Sequence, residues 1–354
     1  MTPSEGWPVT TDTSWLEQAL DAALLGPEAD PNPRVGAVIL DAEGQVAGVG
    51  HHRGAGTVHA EVDALRQAGP RAAGGTAYIT LEPCAHHGRT APCADALQAA
   101  GIARVVYAVA DPTPEAGGGG VKLQHSGLEV EQVHLPAAEE LVEHWALAVR
   151  LQRPWVTVKM ASTLDGRIAA ADGSSAWITS PEARADGHKL RAISGAIMVG
   201  TGTIAADNPS LTARYDDGDL LERQPLRVVV GQRPLTGDFK VVNEDAPTRH
   251  FQTHDVAAVL RDLFGNGIRR VLVEGGPILI AALWQAGLVD EVVNYIAPAL
   301  LGDGPSAISG LDIDSMDGIA RLDLVDVQRI GPDVRLTSRP RSAHAPTSTE
   351  SRSG

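Results

Sequence analysis

One histidine, one glutamate and two cysteines carry the most specific chemistry in the chain. His59-Ala60-Glu61 is followed by Pro83-Cys84 and then by Pro92-Cys93. An imidazole and two thiolates are three good zinc ligands; a structural zinc adds a fourth side chain, whereas a catalytic zinc keeps that place for water. The sequence has two cysteines in all. They read together as metal ligands, a redox pair or coincidence, and a disulfide scaffold is excluded. Closing the shell needs another histidine or a carboxylate, for which His86 and His87 are the nearest candidates.

Glu61 argues for the open form. Two residues from His59, at the entry to a helix, it sets a carboxylate beside the ion without making it a ligand, where it can take and return protons. The order His-x-Glu, Pro-Cys, Cys is that of zinc deaminases, in which the glutamate is the proton shuttle. The spacing here, C-x8-C, is longer than the short form of that signature.

The elements that must position these residues alternate. Period-two apolar runs predict strands over Val35–Leu40, Gln45–Gly50, Thr76–Leu81 and Arg104–Ala108. Helical stretches fall over Ala60–Ala68 and Ala94–Ala100, with Gly101 as a stop. Ala137–Leu151 reads as a helix, and Trp155–Met160 opens a new set of strands with Ala196–Val199, Leu226–Val230, Arg270–Val273 and Glu291–Ile296. Helices are expected over Pro181–Ala192, Val256–Phe264 and Pro277–Ala286, and closing strands from Leu322. The alternation predicts an α/β fold of sheets covered by helices. Gly117–Gly120 reads as a loop, most simply a flexible connector. With 354 residues two domains are expected, over 1–152 and 153–337, and the Ser-, Pro-, Thr- and Arg-rich stretch 338–354 is expected to be a disordered tail.

Three longer stretches carry a resemblance. Pro31-Asn32-Pro33-Arg34-Val35-Gly36-Ala37-Val38, then Gly56-Thr57-Val58-His59-Ala60-Glu61-Val62-Asp63-Ala64-Leu65, then Thr80-Leu81-Glu82-Pro83-Cys84-Ala85-His86-His87-Gly88-Arg89-Thr90-Ala91-Pro92-Cys93 resemble the deaminase domain of the bifunctional riboflavin-biosynthesis deaminase–reductases. The resemblance implies a cytidine-deaminase-like αβα domain. It implies zinc on His59, Cys84 and Cys93, with Glu61 as proton donor and acceptor. Asn32 would face the pyrimidine, His52 would contact substrate (a solvated loop histidine being the plainer reading), and His86 and Arg89 would line the pocket or hold the ribose phosphate. In one place the chain departs from the family. Where the family has D-P-N-P-x-x-x-G-x-G with a basic residue near its end, this chain has Asp111-Pro112-Thr113-Pro114-Glu115-Ala116-Gly117-Gly118-Gly119-Gly120. Contact of that loop with a phosphate would fall to backbone N–H groups or to Lys122.

The second half lacks a complete G-x-G-x-x-G after a strand, so an ordinary dinucleotide fold is poorly supported. Val271-Leu272-Val273-Glu274-Gly275-Gly276-Pro277 and Gly200-Thr201-Gly202-Thr203-Ile204-Ala205 are strand ends that run through glycines into helices, where exposed N–H groups suit an anion. Lys159–Ala169, Trp177-Ile178-Thr179, Leu190-Arg191 and Thr203–Arg214 resemble the reductase domain of the same family, which has a dihydrofolate-reductase-like fold. Carried over, NADPH would contact Ala161, Trp177, Thr203, Asp207, Gly275 and Gly276. Substrate would contact Ser175, Arg191, Leu211, Arg214 and Glu274, with Lys159 in reach of it. Trp177 reads equally as core. Arg191 and Arg214 suit a phosphate, which a guanidinium holds through two parallel hydrogen bonds. Asp165 reads as a turn former.

Composition limits the alternatives. The 29 basic and 44 acidic residues leave a formal charge of −15, and 4% of residues are aromatic. A nucleic-acid deaminase, which needs basic grooves and stacking rings, is therefore disfavoured, as is binding to an anionic membrane. No apolar run is long enough to span a bilayer and no signal pattern opens the chain, so a cytoplasmic enzyme is expected. The expectation is a zinc- and NADPH-dependent enzyme acting on a small pyrimidine ribosyl phosphate, as a homo-oligomer, dimer or larger, in line with the family. Two rivals stay open: a deaminase whose reductase-like domain only binds substrate, and a zinc-stabilised binding module.

Overall fold

The computed structural model describes residues 11–86, 92–113, 117–175 and 177–341. His87, Arg89 and the tail beyond residue 341 lie outside them. The chain forms two units. One holds the chain through Trp155 together with a returning segment, Arg261–Arg270; the other holds Val156–Leu260 and the chain from Val271 onward.

The first unit is built from α1 (Asp12–Ala23), β1 (Gly36–Leu40), β2 (Val46–His51), α2 (Ala60–Ala68), β3 (Thr76–Leu81), α3 (Cys93–Ala99), β4 (Arg104–Val109), α4 (Gly119–His125), β5 (Glu129–Gln132) and α5 (Pro136–Leu151). Its sheet runs β2-β1-β3-β4-β5. β1 is antiparallel to both neighbours, and β3, β4 and β5 are parallel. All five residues of β1 are buried, because helices cover both faces. Ala37 and Ile39 pack with Ala64 and Leu97 on one side; Val38 and Leu40 pack with Leu16 and Ala138 on the other.

Two glycines let α2 lie unusually close to the sheet. A Cβ added at Gly48 would stand 2.2 Å from the Ala64 carbonyl oxygen, and one at Gly50 would stand 2.3 Å from that of Ala60. The first turn of α2, which carries His59 and Glu61, is thereby seated on β2.

Helices α1 and α4 and strand β5 were not expected from the sequence pattern. The glycine cluster read as a flexible connector is instead an ordered helix start. Gly118 sits at φ 87°, and Gly119 and Gly120 open α4. A Cβ at Gly119 would fall 1.7 Å from the Pro83 carbonyl oxygen. The buried Glu82 carboxylate accepts the N–H groups of Gly118 at 3.1 Å, Gly120 at 2.9 Å and Asp111 at 3.1 Å.

The second unit comprises β6 (Trp155–Thr163, beginning at the boundary), α6 (Pro181–Ala192), β7 (Ala196–Gly200), α7 (Thr201–Asp207), β8 (Leu226–Val230), β9 (Thr248–Phe251), α8 (Val256–Gly265, ending in the returning segment), β10 (Arg270–Val273), α9 (Pro277–Gln285), β11 (Glu291–Ala297), β12 (Leu322–Ile330) and β13 (Asp333–Pro340). The eight-stranded sheet has the order β12-β13-β11-β6-β10-β7-β8-β9. β6 and β11 pair in parallel, as do β10, β7, β8 and β9 in turn, while the hairpin β12–β13 joins antiparallel to β11. Ser180 caps α6 by accepting the Ala183 N–H at 3.2 Å. β13 continues through Pro340, so Ser338 to Pro340 are strand rather than the start of a disordered tail. Among the described residues no helix is long and apolar enough to cross a membrane.

Gly50→Ala is expected to force α2 off β2, since the clash is with backbone that cannot swing aside. A loss of about 1–3 kcal/mol, read as a lower urea midpoint, should come with weaker zinc retention by the purified protein.

Candidate active sites

Three chain segments end at one point. His59 is the N-cap residue of α2, with extended backbone at φ −72° and ψ 161°. Cys84 lies just past the end of β3, and Cys93 is the first residue of α3, preceded by Pro92. One ligand atom from each of His59, Cys84 and Cys93 lies within 4.8 Å of the other two. His59 Nδ1 is 3.2 Å from Cys93 Sγ and 3.7 Å from Cys84 Sγ. Among the described residues no fourth histidine or carboxylate belongs to this cluster. One nitrogen and two sulfurs with an open corner are the donor set of a catalytic zinc.

The electrostatics favour the anionic form of Cys84, whereas the hydrogen bond shared with Cys84, together with burial, raises the Cys93 thiol. Cys84 Sγ accepts the Cys93 backbone N–H at 3.3 Å. A hydrogen bond from the Cys93 side chain, helped by His59 and working against burial, brings the Cys84 thiol down to about 4. The hydrogen bond with Cys84 in turn holds His59 above its ordinary value, against burial. Glu61 is 4% exposed. Burial raises its carboxyl above the usual range although the charge of His59 pulls the other way, and a carboxyl so raised can hold a proton and release it.

His59, Glu61 and Cys84 line a cleft of about 730 Å³ in the first unit, with Asn32, His52 and His86 in its wall. His52 is 4% exposed, so it is not a solvated loop residue. Its Nδ1 lies 3.1 Å from the Val58 carbonyl oxygen, to which it donates, which leaves Nε2 to accept from Asn32 Nδ2 at 3.0 Å. Burial keeps this ring neutral by lowering its pKa. The Asn32 amide is thus held with its oxygen turned from His52.

The altered glycine loop has its groups engaged. The Gly118 and Gly120 N–H groups go to Glu82, and Lys122 Nζ pairs with Asp95 at 2.5 Å. Glu82, Trp145, Phe264 and Arg269 also line the cleft, and none was singled out from sequence. Glu82 adjoins Pro83-Cys84, where the motif hid it. The other three come from α5 and the returning segment, outside the motifs.

In the second unit, Arg191, Glu274 and Lys159 come together. Arg191 Nε and Nη2 donate to Glu274 at 2.6 and 2.8 Å, and Nη1 donates to the Thr212 carbonyl oxygen at 2.9 Å. The two parallel bonds expected to grip a phosphate therefore go to Glu274 here. Burial alone would raise the Glu274 carboxyl, but the charge and hydrogen bonds of Arg191, with Lys159 behind them, bring it to about 2. Burial pushes the Lys159 ammonium down while Glu274 pulls it up; its Nζ stands 5.7 Å from the centre of the Tyr295 ring. His188, one helical turn before Arg191, feels the charges of Arg191, Glu274 and Arg214. Sequence reasoning passed over it.

β10 and β7 are parallel neighbours, and each runs straight into a helix, through Gly275-Gly276 into α9 and through Gly200 into α7. A Cβ on Gly275 would come within 2.8 Å of Leu279. Side-by-side helix starts with backbone exposed fit a dinucleotide pyrophosphate. The Gly276 N–H itself donates to Thr203 Oγ1 at 3.1 Å. Ala161 lies half-buried on β6, Asp207 is exposed at the end of α7, and Ser175 is exposed. Trp177 is 76% exposed, with the Arg184 guanidinium 4.5 Å from its ring centre, so it is not core. Leu211 has φ 51° and a buried side chain packed with Ile197 and Val229. Arg214 Nη1 donates to the Gly218 carbonyl oxygen at 2.7 Å. No direct contact joins Trp177, Ser175 or Asp207 to the Arg191–Glu274 pair among the described residues.

Comparison with known proteins agrees with this division of chemistry. Residues 9–109 match the cytidine and deoxycytidylate deaminase zinc-binding region, and residues 154–336 match the RibD C-terminal domain. The chain is 46% identical over 311 residues to the riboflavin biosynthesis protein RibD of Mycobacterium tuberculosis, covering 87% of this chain and 91% of that one. It is 38% identical over 361 residues to the protein of the same name from Escherichia coli, covering 92% and 98%. Among solved structures, Acinetobacter baumannii RibD superposes with a TM-score of 0.84 at 39% identity, covering 93% of this chain and 99% of that one. A Thermotoga maritima diaminohydroxyphosphoribosylaminopyrimidine deaminase/5-amino-6-(5-phosphoribosylamino)uracil reductase superposes with a TM-score of 0.83 at 32% identity over the same shares. A cytidine-deaminase-like zinc domain followed by a dihydrofolate-reductase-like, NADPH-dependent domain places this chain in the RibD family of bifunctional deaminase–reductases of riboflavin biosynthesis.

Proposed function

We propose that the first unit deaminates 2,5-diamino-6-ribosylamino-4(3H)-pyrimidinone 5′-phosphate, and that the second reduces the ribosyl group of the product to a ribityl chain, giving 5-amino-6-(ribitylamino)uracil 5′-phosphate. The observation that carries the reading is the convergence of His59, Cys84 and Cys93, with His59, Cys84 and the buried Glu61 lining one cleft. The name of the Thermotoga relative supports the substrate.

Zinc, when bound, supplies a Lewis acid that brings the pKa of water to about 7. Glu61 would take a proton from the attacking water as its oxygen bonds to the ring carbon bearing the 2-amino group, and pass it to the ring nitrogen; a second proton, from the same oxygen, goes to the exocyclic amine, and the C–N bond breaks as C=O forms and ammonia leaves. Asn32 offers an amide to the pyrimidine edge, and His52 holds that amide in one orientation. In the second unit NADPH supplies hydride for C1′ of the open, imine-like ribosyl form. Glu274 fixes Arg191 against the Thr212 carbonyl. Lys159, whose burial eases release of a proton, would protonate the imine nitrogen.

Both cysteines are free thiols, which fits a reducing compartment, and we place the protein in the cytoplasm. We also propose a homodimer or larger assembly through β12. This strand ends its sheet and exposes Leu322, Leu324, Val325 and Val327 together. An apolar edge strand invites pairing with a second copy.

Glu61→Gln is expected to lower ammonia release by about a thousandfold or more with zinc content unchanged; full activity in the variant would overturn the shuttle. Product masses should show replacement of an amine by oxygen without NADPH, and a gain of two hydrogens only with it. Glu274→Gln leaves two buried cations uncompensated and should cost about 3–5 kcal/mol, with reduction lost before deamination. Folding lowers this carboxyl from 4.5 to about 2, so its contribution is complete above pH 4.5 and disappears as pH falls toward 2. The variant should lose that part of the acid dependence in a pH series of melting curves. Val327→Glu should shift the protein toward monomer in light scattering.

A further inference from the structure

We propose that Arg269 holds the 5′-phosphate of the substrate in the deaminase cleft. The inference rests on the deaminase reading above and adds to it a residue from the returning segment, which belongs to the same unit.

Among the described residues that line the cleft, Arg269 is the one lysine or arginine. Its surroundings differ from those of three other partly buried arginines. Arg104, Arg191 and Arg335 each meet a carboxylate within 2.8 Å. Arg269 meets none: Nη1 donates to the carbonyl oxygens of Phe264 at 2.9 Å and Ile268 at 3.4 Å, and Nε is buried without a partner. Burial lowers its pKa with no anion to oppose it. A half-buried guanidinium without a counter-ion is costly, and an arriving anion would offset that cost. The plane is already set, since the group lies 4.2 Å from the centre of the Phe264 ring, which also lines the cleft.

The rest of the cleft leads to the same end. Glu61, Glu82 and Asp111 put carboxylates in its wall, where a phosphate dianion would be repelled. Of the donors near the glycine loop, the Gly118 and Gly120 N–H groups are engaged by Glu82 and Lys122 by Asp95. The pyrimidine thus belongs at the His59–Glu61 end, and the phosphate beside Arg269.

The competing role for Arg269 is structural, closing the C-terminal end of α8 through the Phe264 carbonyl. Ammonia release by the zinc-loaded full-length protein, measured with the 5′-phosphate substrate and with its dephosphorylated ribonucleoside, separates the two. Arg269→Gln and Arg269→Met, the second keeping the apolar stem on Phe264, should each raise KM for the phosphate substrate by about thirtyfold, the effect of one lost charge-assisted pair. Under the proposal kcat stays within about threefold, the ribonucleoside kinetics are unmoved, and Arg269→Lys recovers part of the loss. An equal rise in KM for both substrates, or no rise for either, overturns the proposal. So does a wild-type enzyme that does not distinguish the two substrates. A wild-type enzyme that releases ammonia from neither would instead overturn the deaminase reading itself.

Discussion

Two thiols and an imidazole can share one ion only if segments distant in the chain stop at the same place. His59 and Cys93 are 34 residues apart, yet their ligand atoms lie 3.2 Å apart. The first unit meets this demand with helix starts. α2 begins beside His59 and α3 begins at Cys93, whose own N–H, the first of the helix, donates to the Cys84 sulfur. The arrangement needs α2 pressed onto β2, which the bare faces of Gly48 and Gly50 permit. Position, ligand ionisation and the burial of Glu61 are therefore consequences of one packing contact.

The second unit solves a different problem, that of keeping charge out of water. Arg191, Glu274 and Lys159 would each be expensive to bury alone. Together one carboxylate is shared between two cations, its geometry set by a bidentate pair. The strand ends beside them supply glycines and helix starts in place of side chains, which suits a large, flexible, anionic cofactor. Both halves use helix starts: those beside His59 and at Cys93 flank the metal-ligand cluster, and those that follow β7 and β10 have the form that suits a dinucleotide.

What could be read from the sequence was the chemistry that demands particular residue types. No apolar substitute exists for a zinc ligand or for a proton-carrying carboxylate, so His59, Glu61, Cys84 and Cys93 stood out, and the periodic strands and helices around them followed. α2, β3, α6, β8 and β10 span the residues expected of them. The parts that depend on distant contacts did not stand out. α4 opens on glycines, which weaken helix propensity, and only the Pro83 carbonyl packed against it and the Glu82 carboxylate under it explain why it forms. Arg191 looked like a phosphate grip because its partner Glu274 is 83 residues away. Phe264 and Arg269 reach the cleft from a segment with no motif of its own.

Glu82 adds a last consequence. Its two oxygens anchor the amides of Asp111, Gly118 and Gly120, so the backbone at those three positions is dictated from below, by the end of the sheet. One carboxylate beside Cys84 thereby ties the wall of the cleft to the first turn of α4, so that wall and that helix must form together.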